Sequence, residues 1–166
     1  MDIKAVILAA GKGTRMKSET TPKVLHQIMG KTLLGYVLDN VKNFASEQFV
    51  IVGHHAQEVE DFVKTNYTNA KTVLQTPQLG TGHAVSMVCP NLENYDGLIL
   101  ILCGDTPLIK EETLKFLQTG FSKYLRMKIN SCERFGDVLR IDFTMTNVSG
   151  KDLEDIEFSG VSVVDN

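Results

Sequence analysis

The chain has 166 residues, of which 43% are hydrophobic, so it is long enough for one domain, or for one domain with a small appendage. Its 17 basic and 20 acidic residues leave a formal charge of -3, and without a global basic field they argue against a nucleic-acid partner. Three widely spaced cysteines argue against a disulfide framework or a zinc site, and no apolar run approaches the roughly 18 residues that span a bilayer, so we expect a cytoplasmic protein.

A glycine-rich loop follows the first predicted strand. Residues 5–10 form an apolar run without alternation, which is typical of a parallel strand buried on both faces. Gly11 and Gly13 lack Cβ atoms, so backbone N–H groups there can approach a phosphate closely. Three cations lie near these glycines in the sequence: Lys12, Arg15 and Lys23. The loop matches neither a P-loop nor G-x-G-x-x-G, whose third glycine is replaced by Met16. It therefore predicts a polyphosphate site, the alternative being a plain strand-to-helix turn.

Strands and helices alternate as far as residue 118. After the first strand, the apolar periodicity predicts a helix at about 33–44, a strand at 48–53, a helix at 56–67, a strand at 71–75, a helix at 83–88, a strand at 97–103 and a helix at 110–118. The strand at 97–103 is predicted to be buried on both faces, and Gly120 to cap the last helix. This order predicts an α/β fold of Rossmann-like type, with a mainly parallel sheet in the order 3-2-1-4 flanked by helices.

The predicted strand order brings Asp105 to the glycine-rich loop. The first and fourth strands are neighbours at the point where the strand order reverses, and ligands bind beyond their carboxyl ends. A carboxylate opposite cations and backbone amides suits a divalent metal that bridges phosphate oxygens. By itself, an aspartate before Thr-Pro is more often a turn former, but its place at the strand end favours the metal-binding role.

The loop at residues 75–82 is the third candidate part of the site. Glutamine amides both donate and accept hydrogen bonds, which suits the edge of a nucleobase, while Gly80 and Gly82 allow close approach of the backbone. A surface loop rich in proline and glycine is the alternative interpretation. His83 opens the next predicted helix, and we interpret it as a capping or packing residue rather than a catalytic base.

The last part of the chain has a different pattern. Residues 138–148 alternate between apolar and polar, a Ser-Gly turn follows, and residues 161–164 form another short apolar run. This pattern predicts a small antiparallel β element. We therefore divide the chain into a nucleotide-binding α/β domain at residues 1–122 and a β-rich tail at residues 123–166.

Four segments together resemble the sugar-nucleotide pyrophosphorylases. They are Leu-Ala-Ala-Gly-Lys-Gly-Thr-Arg-Met at 8–16, Pro-Lys-Val-Leu-His at 22–26, Gln-x-x-Gln-Leu-Gly-Thr-Gly-His-Ala at 75–84 and Gly-Asp-Thr-Pro-Leu-Ile at 104–109. Within that family they are similar to the N-terminal uridylyltransferase domain of the bifunctional bacterial enzymes that make UDP-N-acetylglucosamine for the cell wall. The resemblance covers about residues 3–118.

This resemblance implies a Mg²⁺-dependent transfer of UMP from UTP to N-acetylglucosamine 1-phosphate, with release of pyrophosphate. It assigns neutralisation of the phosphates to Arg15 and Lys23, and ligation of Mg²⁺ to Asp105. The nucleotide-binding residues that it implies are Leu8, Ala9, Ala10, Gly11, Gly13, Lys23, Gln75, Gly80 and Thr81.

The family pattern is lost after about residue 120, where the sugar-binding residues and a second metal ligand are expected. We therefore expect UTP binding with weak or absent turnover. A cytidylyl- or guanylyltransferase, and a non-catalytic nucleotide-binding or interaction fragment whose tail pairs with a partner's strand edge, remain alternatives. The oligomeric state is left open, because the 166 residues do not include the family's trimerising C-terminal domain.

Overall fold

The computed structural model describes residues 2–11, 13, 21–135 and 138–147. Strands and helices alternate along the α/β part of the chain, and two antiparallel strands follow it. In chain order the elements are β1 (Ile3–Leu8), a 3-10 turn (Lys23–Leu25), β2 (Gln27–Ile28), β3 (Lys31–Thr32), α1 (Leu33–Val41), β4 (Glu47–Val52), α2 (Ala56–Asn66), β5 (Ala70–Leu74), α3 (Gly80–Ser86), α4 (Cys89–Leu92), β6 (Leu98–Cys103), α5 (Glu111–Tyr124), β7 (Leu125–Phe135) and β8 (Val138–Asn147).

A four-stranded sheet in the order β5-β4-β1-β6 forms the centre of the fold. All three neighbouring pairs are parallel, and Ile7 in β1 lies between Val50 in β4 and Leu102 in β6. When the four strands of this sheet are numbered 1 to 4 in chain order, their order in the sheet is 3-2-1-4. This is the predicted order, so the α/β fold is confirmed. The order reverses between β1 and β6, and loops that follow these strands therefore meet at one edge of the sheet.

Helices cover both faces of the sheet. On one face, Leu34 of α1, Val59 of α2 and Leu114 of α5 pack into the same core as the side chains of β1 and β4. On the other face, Ala84 of α3 and Leu92 of α4 pack against the remaining strand side chains. Burial of a Val or Leu side chain stabilises a fold by roughly 1.5–3 kcal/mol, so the two cores hold the strand ends in fixed positions.

The last strand of the sheet is less buried than its sequence predicts. β6 is the most continuous apolar run of the chain, yet Leu98, Ile99 and Leu100 are half-buried and Ile101 is 49% exposed. The prediction of burial on both faces is wrong here. β6 is an edge strand, since within the described residues the sheet ends at it. An apolar run shows what a strand can bury, but its place in the sheet decides how much is covered.

Several helix boundaries differ from the prediction, and two of the differences involve glycines. α3 begins at Gly80 instead of residue 83, so part of the predicted loop is helical. α5 continues through Gly120 to Tyr124, so Gly120 is not a C-cap. A glycine typically ends a helix when it adopts the left-handed conformation, whereas within a helix it costs only about 1 kcal/mol relative to alanine.

A two-stranded antiparallel sheet follows α5. β7 and β8 pair in a register that places Ile129 opposite Phe143, with a register shift between Ile129 and Ser131. The predicted antiparallel element is therefore present, but β8 pairs with β7, which the sequence analysis did not predict. Residues 161–164 lie outside the described residues. The division of the chain at residue 122 stays a prediction.

Within the described ranges, no helix has the length and apolar character needed to cross a membrane.

Candidate active site

A cleft of about 560 Å³ opens at the carboxyl edge of the sheet, between the loops that follow β1, β5 and β6. It brings together every predicted site residue that the structure describes. These are Leu8, Ala9, Ala10, Gly11, Gly13, Lys23, Gln75, Gly80, Thr81 and Asp105. The other predicted residue, Arg15, lies outside the described residues. The chemical roles assigned to these residues in the sequence analysis stay predictions.

The segment that leaves β1 is fixed from both sides. The Ala9 N–H donates to the Ile51 carbonyl at 2.9 Å, and the Gly104 N–H donates to the Leu8 carbonyl at 2.9 Å. Further on, the His54 N–H donates to the Ala10 carbonyl at 3.3 Å. These bonds extend the pairing of the sheet beyond the regular strands, so the backbone up to Ala10 is positioned by the fold itself.

Two glycines on one side of the cleft differ in their surroundings. A Cβ built on Gly11 would meet no atom within 4 Å, so the space beside it is open. Gly13 has a φ of +62°, and a Cβ there would lie 3.0 Å from the Cβ of Lys23. Gly13 thus uses both the left-handed conformation and the small volume of glycine, and it packs directly against Lys23.

Lys23 and Asp105 form an ion pair within the cleft. Lys23 begins the 3-10 turn, whose Val24 is buried. Asp105 follows Gly104, where a Cβ would lie 3.1 Å from the Leu8 carbonyl oxygen and 3.3 Å from Val24 Cγ1. This close packing of Gly104 on β1 and on the 3-10 turn sets the two charges side by side. We call Gly11, Gly13, Lys23 and Asp105 the charged wall.

Another part of the cleft lining is uncharged, and we call Gln75, Gln78, Gly80 and Thr81 the amide wall. Gln75 is buried, and its N–H donates to the Val52 carbonyl at 2.7 Å. Its side-chain Nε2 donates to the Gly80 carbonyl at 2.9 Å and lies 3.1 Å from Nδ1 of the buried His83. These contacts hold the Gln75 amide in one orientation.

Gln78 packs over the loop that follows β4. A Cβ on Gly53 would lie 2.6 Å from Gln78 Nε2 and 2.9 Å from Ala10 Cβ, so only glycine fits there. Gly53 therefore allows the Gln78 side chain to lie close to Ala10, in the segment that follows β1. The amide wall thus packs near the backbone that continues into the charged wall.

Three residues that line the cleft, Val24, Ala84 and Cys103, were not assigned to the site from sequence, and Gln78 was included only as part of the candidate loop at 75–82. Ala84 had a signal, because it lies four residues after Gly80 and so shares a helix face with it. Cys103 ends β6, two residues before Asp105, and strand ends at this edge face the cleft. The pairing of Gln75 with His83 had no signal in the sequence, since it depends on the path of the loop between β5 and α3.

A parallel sheet with reversed strand order and glycine-rich loops at its carboxyl edge defines a nucleotide-binding α/β protein. Comparison with known families agrees with this class and narrows it. The model of the MobA-like NTP transferase domain matches residues 5–125, and the chain belongs to this family.

Similar full-length proteins are bifunctional proteins named GlmU. That of Alkaliphilus metalliredigens is 53% identical over 149 residues, which cover 86% of this chain and 32% of the relative. That of Clostridioides difficile is 49% identical over 118 residues, which cover 70% of this chain and 25% of the relative. The chain therefore spans about a quarter to a third of the length of these curated relatives. The similarity to the Alkaliphilus protein extends past the predicted limit at residue 118, since it covers 86% of the chain.

Solved structures share the fold. A nucleotidyl transferase from Methanothermobacter thermautotroptrophicus superposes with a TM-score of 0.60 at 24% identity, over 71% of this chain and 57% of that one. The inositol-1-phosphate CTP transferase from T. maritima superposes with a TM-score of 0.60 at 21% identity, over 74% of this chain and 51% of that one. At these identities the likeness concerns the fold alone.

Proposed function

We propose that the chain binds UTP in this cleft and transfers its UMP group to N-acetylglucosamine 1-phosphate, releasing pyrophosphate. The observation that carries the proposal is a cleft whose lining combines the uncharged amide wall with the charged wall. A nucleoside triphosphate has the same division, with an uncharged base at one end and a polyphosphate at the other. The names of the GlmU relatives and their identity of about 50% support this type of nucleotidyl transfer.

The amide wall is suited to a nucleobase. Gln75 presents a buried amide, and a Cβ on Gly80 would meet nothing within 4 Å, so a flat ring can approach the backbone there. Amides that donate and accept can recognise the edge of a base. In this proposal Leu8, Ala9 and Ala10 line the nucleoside pocket, and Gln75, Gly80 and Thr81 contact uracil.

The charged wall is suited to phosphates. The open space beside Gly11 lets phosphate oxygens approach the backbone, and Lys23 supplies a positive charge. In the reaction, an oxygen of the sugar phosphate attacks the α-phosphorus of UTP while the bond to the pyrophosphate oxygen breaks. A phosphate monoester is already nucleophilic and needs no side-chain base. Lys23, together with Arg15, would stabilise the negative charge that builds on the phosphoryl oxygens.

Mg²⁺ is part of the proposal, and Asp105 is the residue that would hold it. Mg²⁺ in nucleotide sites is bound by one or two carboxylates together with substrate phosphates. This fits the cleft, where Asp105 is the acidic residue of the lining, while the described residues hold no cluster of three metal-binding side chains. When bound, Mg²⁺ neutralises phosphate charge. Asp105 is paired with Lys23. Nucleotide binding would separate this pair: Lys23 would then contact phosphate oxygens, and Asp105 would bind the metal.

Calorimetric titration with UTP and Mg²⁺ tests the proposal, on the chain itself and on its Asp105→Ala and Arg15→Ala variants. We expect saturable binding that either substitution weakens. CTP and GTP serve as competitors, because a preference for either would replace uridylyl transfer with a related nucleotidyl transfer. Absence of binding at millimolar UTP would contradict the proposal. Pyrophosphate release with N-acetylglucosamine 1-phosphate then measures turnover, which we expect to be slow.

A cytoplasmic location is also part of this proposal, and the cysteine spacing supports it.

A further inference from the structure

The orientation of the Gln75 side chain carries an inference that goes beyond the proposed reaction and rests on it. The Gly80 carbonyl can only accept a hydrogen bond, so the amide nitrogen of Gln75, and not its oxygen, must face it at 2.9 Å. The same Nε2 lies 3.1 Å from His83 Nδ1. Nε2 carries two hydrogens, and this geometry uses one for each acceptor.

The other polar atom of the Gln75 side chain, Oε1, is left for a ligand. Within the described part of the chain, no group donates to Gln75 Oε1. Gln75 is only 4% exposed, yet it is one of the residues that line the cleft. Its Oε1 is therefore a hydrogen-bond acceptor at the cleft, and the two contacts of Nε2 hold the amide in place.

We propose that His83 is a positioning residue that sets base selectivity, by holding Gln75 with its Oε1 acceptor toward the base. Uracil carries a hydrogen on N3, whereas cytosine has a lone pair there. A fixed acceptor therefore favours a base with an N3–H donor, and it leaves a cytosine N3 unpaired. Buried sites discriminate most strongly through such unpaired polar groups.

His83 is required because the Gly80 carbonyl alone does not fix both amide hydrogens. With its proton on Nε2, the His83 ring offers Nδ1 as the second acceptor. His83 is 7% exposed and belongs to α3, whose neighbouring Ala84 packs in the core, so its position is set by the fold. Without this acceptor, only the contact with the Gly80 carbonyl opposes rotation of the Gln75 amide, which would present its nitrogen to a cytosine N3.

Dissociation constants for UTP and CTP, measured on the whole chain with Mg²⁺, test this inference. His83→Leu removes the acceptor at similar size, and we expect the preference for UTP over CTP to fall roughly tenfold. His83→Asn supplies an amide oxygen and should restore much of the preference. Ser86→Ala is the matched control in α3, since Ser86 Oγ donates to the His83 carbonyl at 2.7 Å and has no part in holding Gln75. It should leave the preference unchanged.

A purely structural role for His83 would weaken UTP and CTP binding equally, and an unchanged ratio in a folded His83→Leu variant would overturn the inference. Nitrogen NMR of His83 in the nucleotide-free chain gives an independent answer. We expect the proton on Nε2, and a proton on Nδ1 would overturn the inference even if UTP binds. If the unmodified chain binds no UTP, the proposed function fails and the selectivity inference fails with it, while the NMR result still decides the hydrogen bond.

Discussion

The two walls of the cleft are held in different ways. In the amide wall, the Gln75 side chain is held by contacts with Gly80 and His83 inside the protein. In the charged wall, Lys23 and Asp105 are fixed by each other. In the proposed complex, the amide wall keeps these contacts, whereas the charged wall exchanges its internal ion pair for contacts with the ligand.

This difference shows which part of the site depends on the ligand's own charge. Breaking the ion pair costs little if both partners gain new contacts, but it leaves an unbalanced charge if one partner is missing. Substitutions in the charged wall should therefore change affinity strongly. Substitutions in the amide wall should act on base selectivity and on stability.

The largest effect is expected for Lys23→Met. It removes a cation from the phosphates and leaves the Asp105 carboxylate facing them, so we expect UTP affinity to fall about 100-fold, since charged hydrogen bonds contribute about 1.5–3 kcal/mol. The double variant Lys23→Met/Asp105→Asn removes the repulsion as well. Without Mg²⁺ it should bind UTP more tightly than Lys23→Met, as measured by calorimetry.

An equal affinity of Lys23→Met and the unmodified chain would show that the ion pair is structural and that phosphates bind elsewhere. Lys42→Met is a suitable control, because the Lys42 side chain is 53% exposed and interacts with Asp39 at 3.6 Å, outside the cleft lining. It should bind UTP normally.

A smaller effect on affinity is expected for Gly11→Ala. The added methyl group would meet no protein atom within 4 Å, so the melting temperature should stay within about a degree of the unmodified chain. It would occupy space needed by phosphate oxygens, and we expect UTP binding to weaken roughly tenfold, as for a displaced hydrogen-bonding contact. Gly53→Ala is the counterpart, since its methyl group collides with Gln78 and Ala10 and should lower the melting temperature. Normal UTP binding by Gly11→Ala would contradict the predicted role of this loop.

The sequence predicted the sheet because alternating apolar runs and helical periodicity allow few topologies. The strand order then placed Asp105 beside the loop at Gly11, although about ninety residues separate them. This prediction follows from the rules that govern how parallel strands are connected, without any detail of the side chains. The position of the cleft could therefore be predicted, together with most of the residues that line it.

The remaining features depend on contacts that periodicity does not encode. β4 and β6 are both apolar runs, but β4 lies between two strands and is buried from Gln48 to Val52, whereas β6 lies at an edge with Ile101 exposed. β7 has a signal in the sequence, because Leu125, Met127 and Ile129 alternate with polar residues. The Lys23–Asp105 and Gln75–His83 pairs follow from loop conformations, which sequence patterns leave open.

Gly80→Ala tests the amide wall through the backbone. Gly80 has a φ of +88°, and its surroundings are open, so the substitution adds strain without a collision. A left-handed conformation costs a non-glycine residue about 1–2 kcal/mol. We therefore expect a melting temperature lower by roughly 2–8 °C. The Gly80 carbonyl also holds Gln75, so the preference for UTP over CTP should decrease. A variant as stable as the unmodified chain would contradict the predicted strain at this position.

The smallest effect is expected at the amino edge of the sheet, where Glu47 accepts hydrogen bonds from Lys4 at 2.8 Å and Lys71 at 2.5 Å. Hydrogen bonding first to Lys4 and then to Lys71 holds the pKa of Glu47 below its ordinary value of 4.5. A lowered pKa means that this stabilisation is present above pH 4.5 and is lost as the pH falls through the pKa of the folded state.

Glu47→Gln should therefore reduce the free energy of unfolding by about 0.5–1 kcal/mol near neutral pH, and by progressively less as the solution is acidified, as measured by urea unfolding. Asp61→Asn is the control, because Asp61 is exposed and accepts from Gln57 rather than from a lysine. Unlike the pair in the cleft, the charges around Glu47 need not separate for a ligand, so UTP affinity should not change. A loss of affinity in Glu47→Gln would show that charge at the amino edge acts on the cleft through the sheet, and the charged wall would then not be the only place where affinity is set.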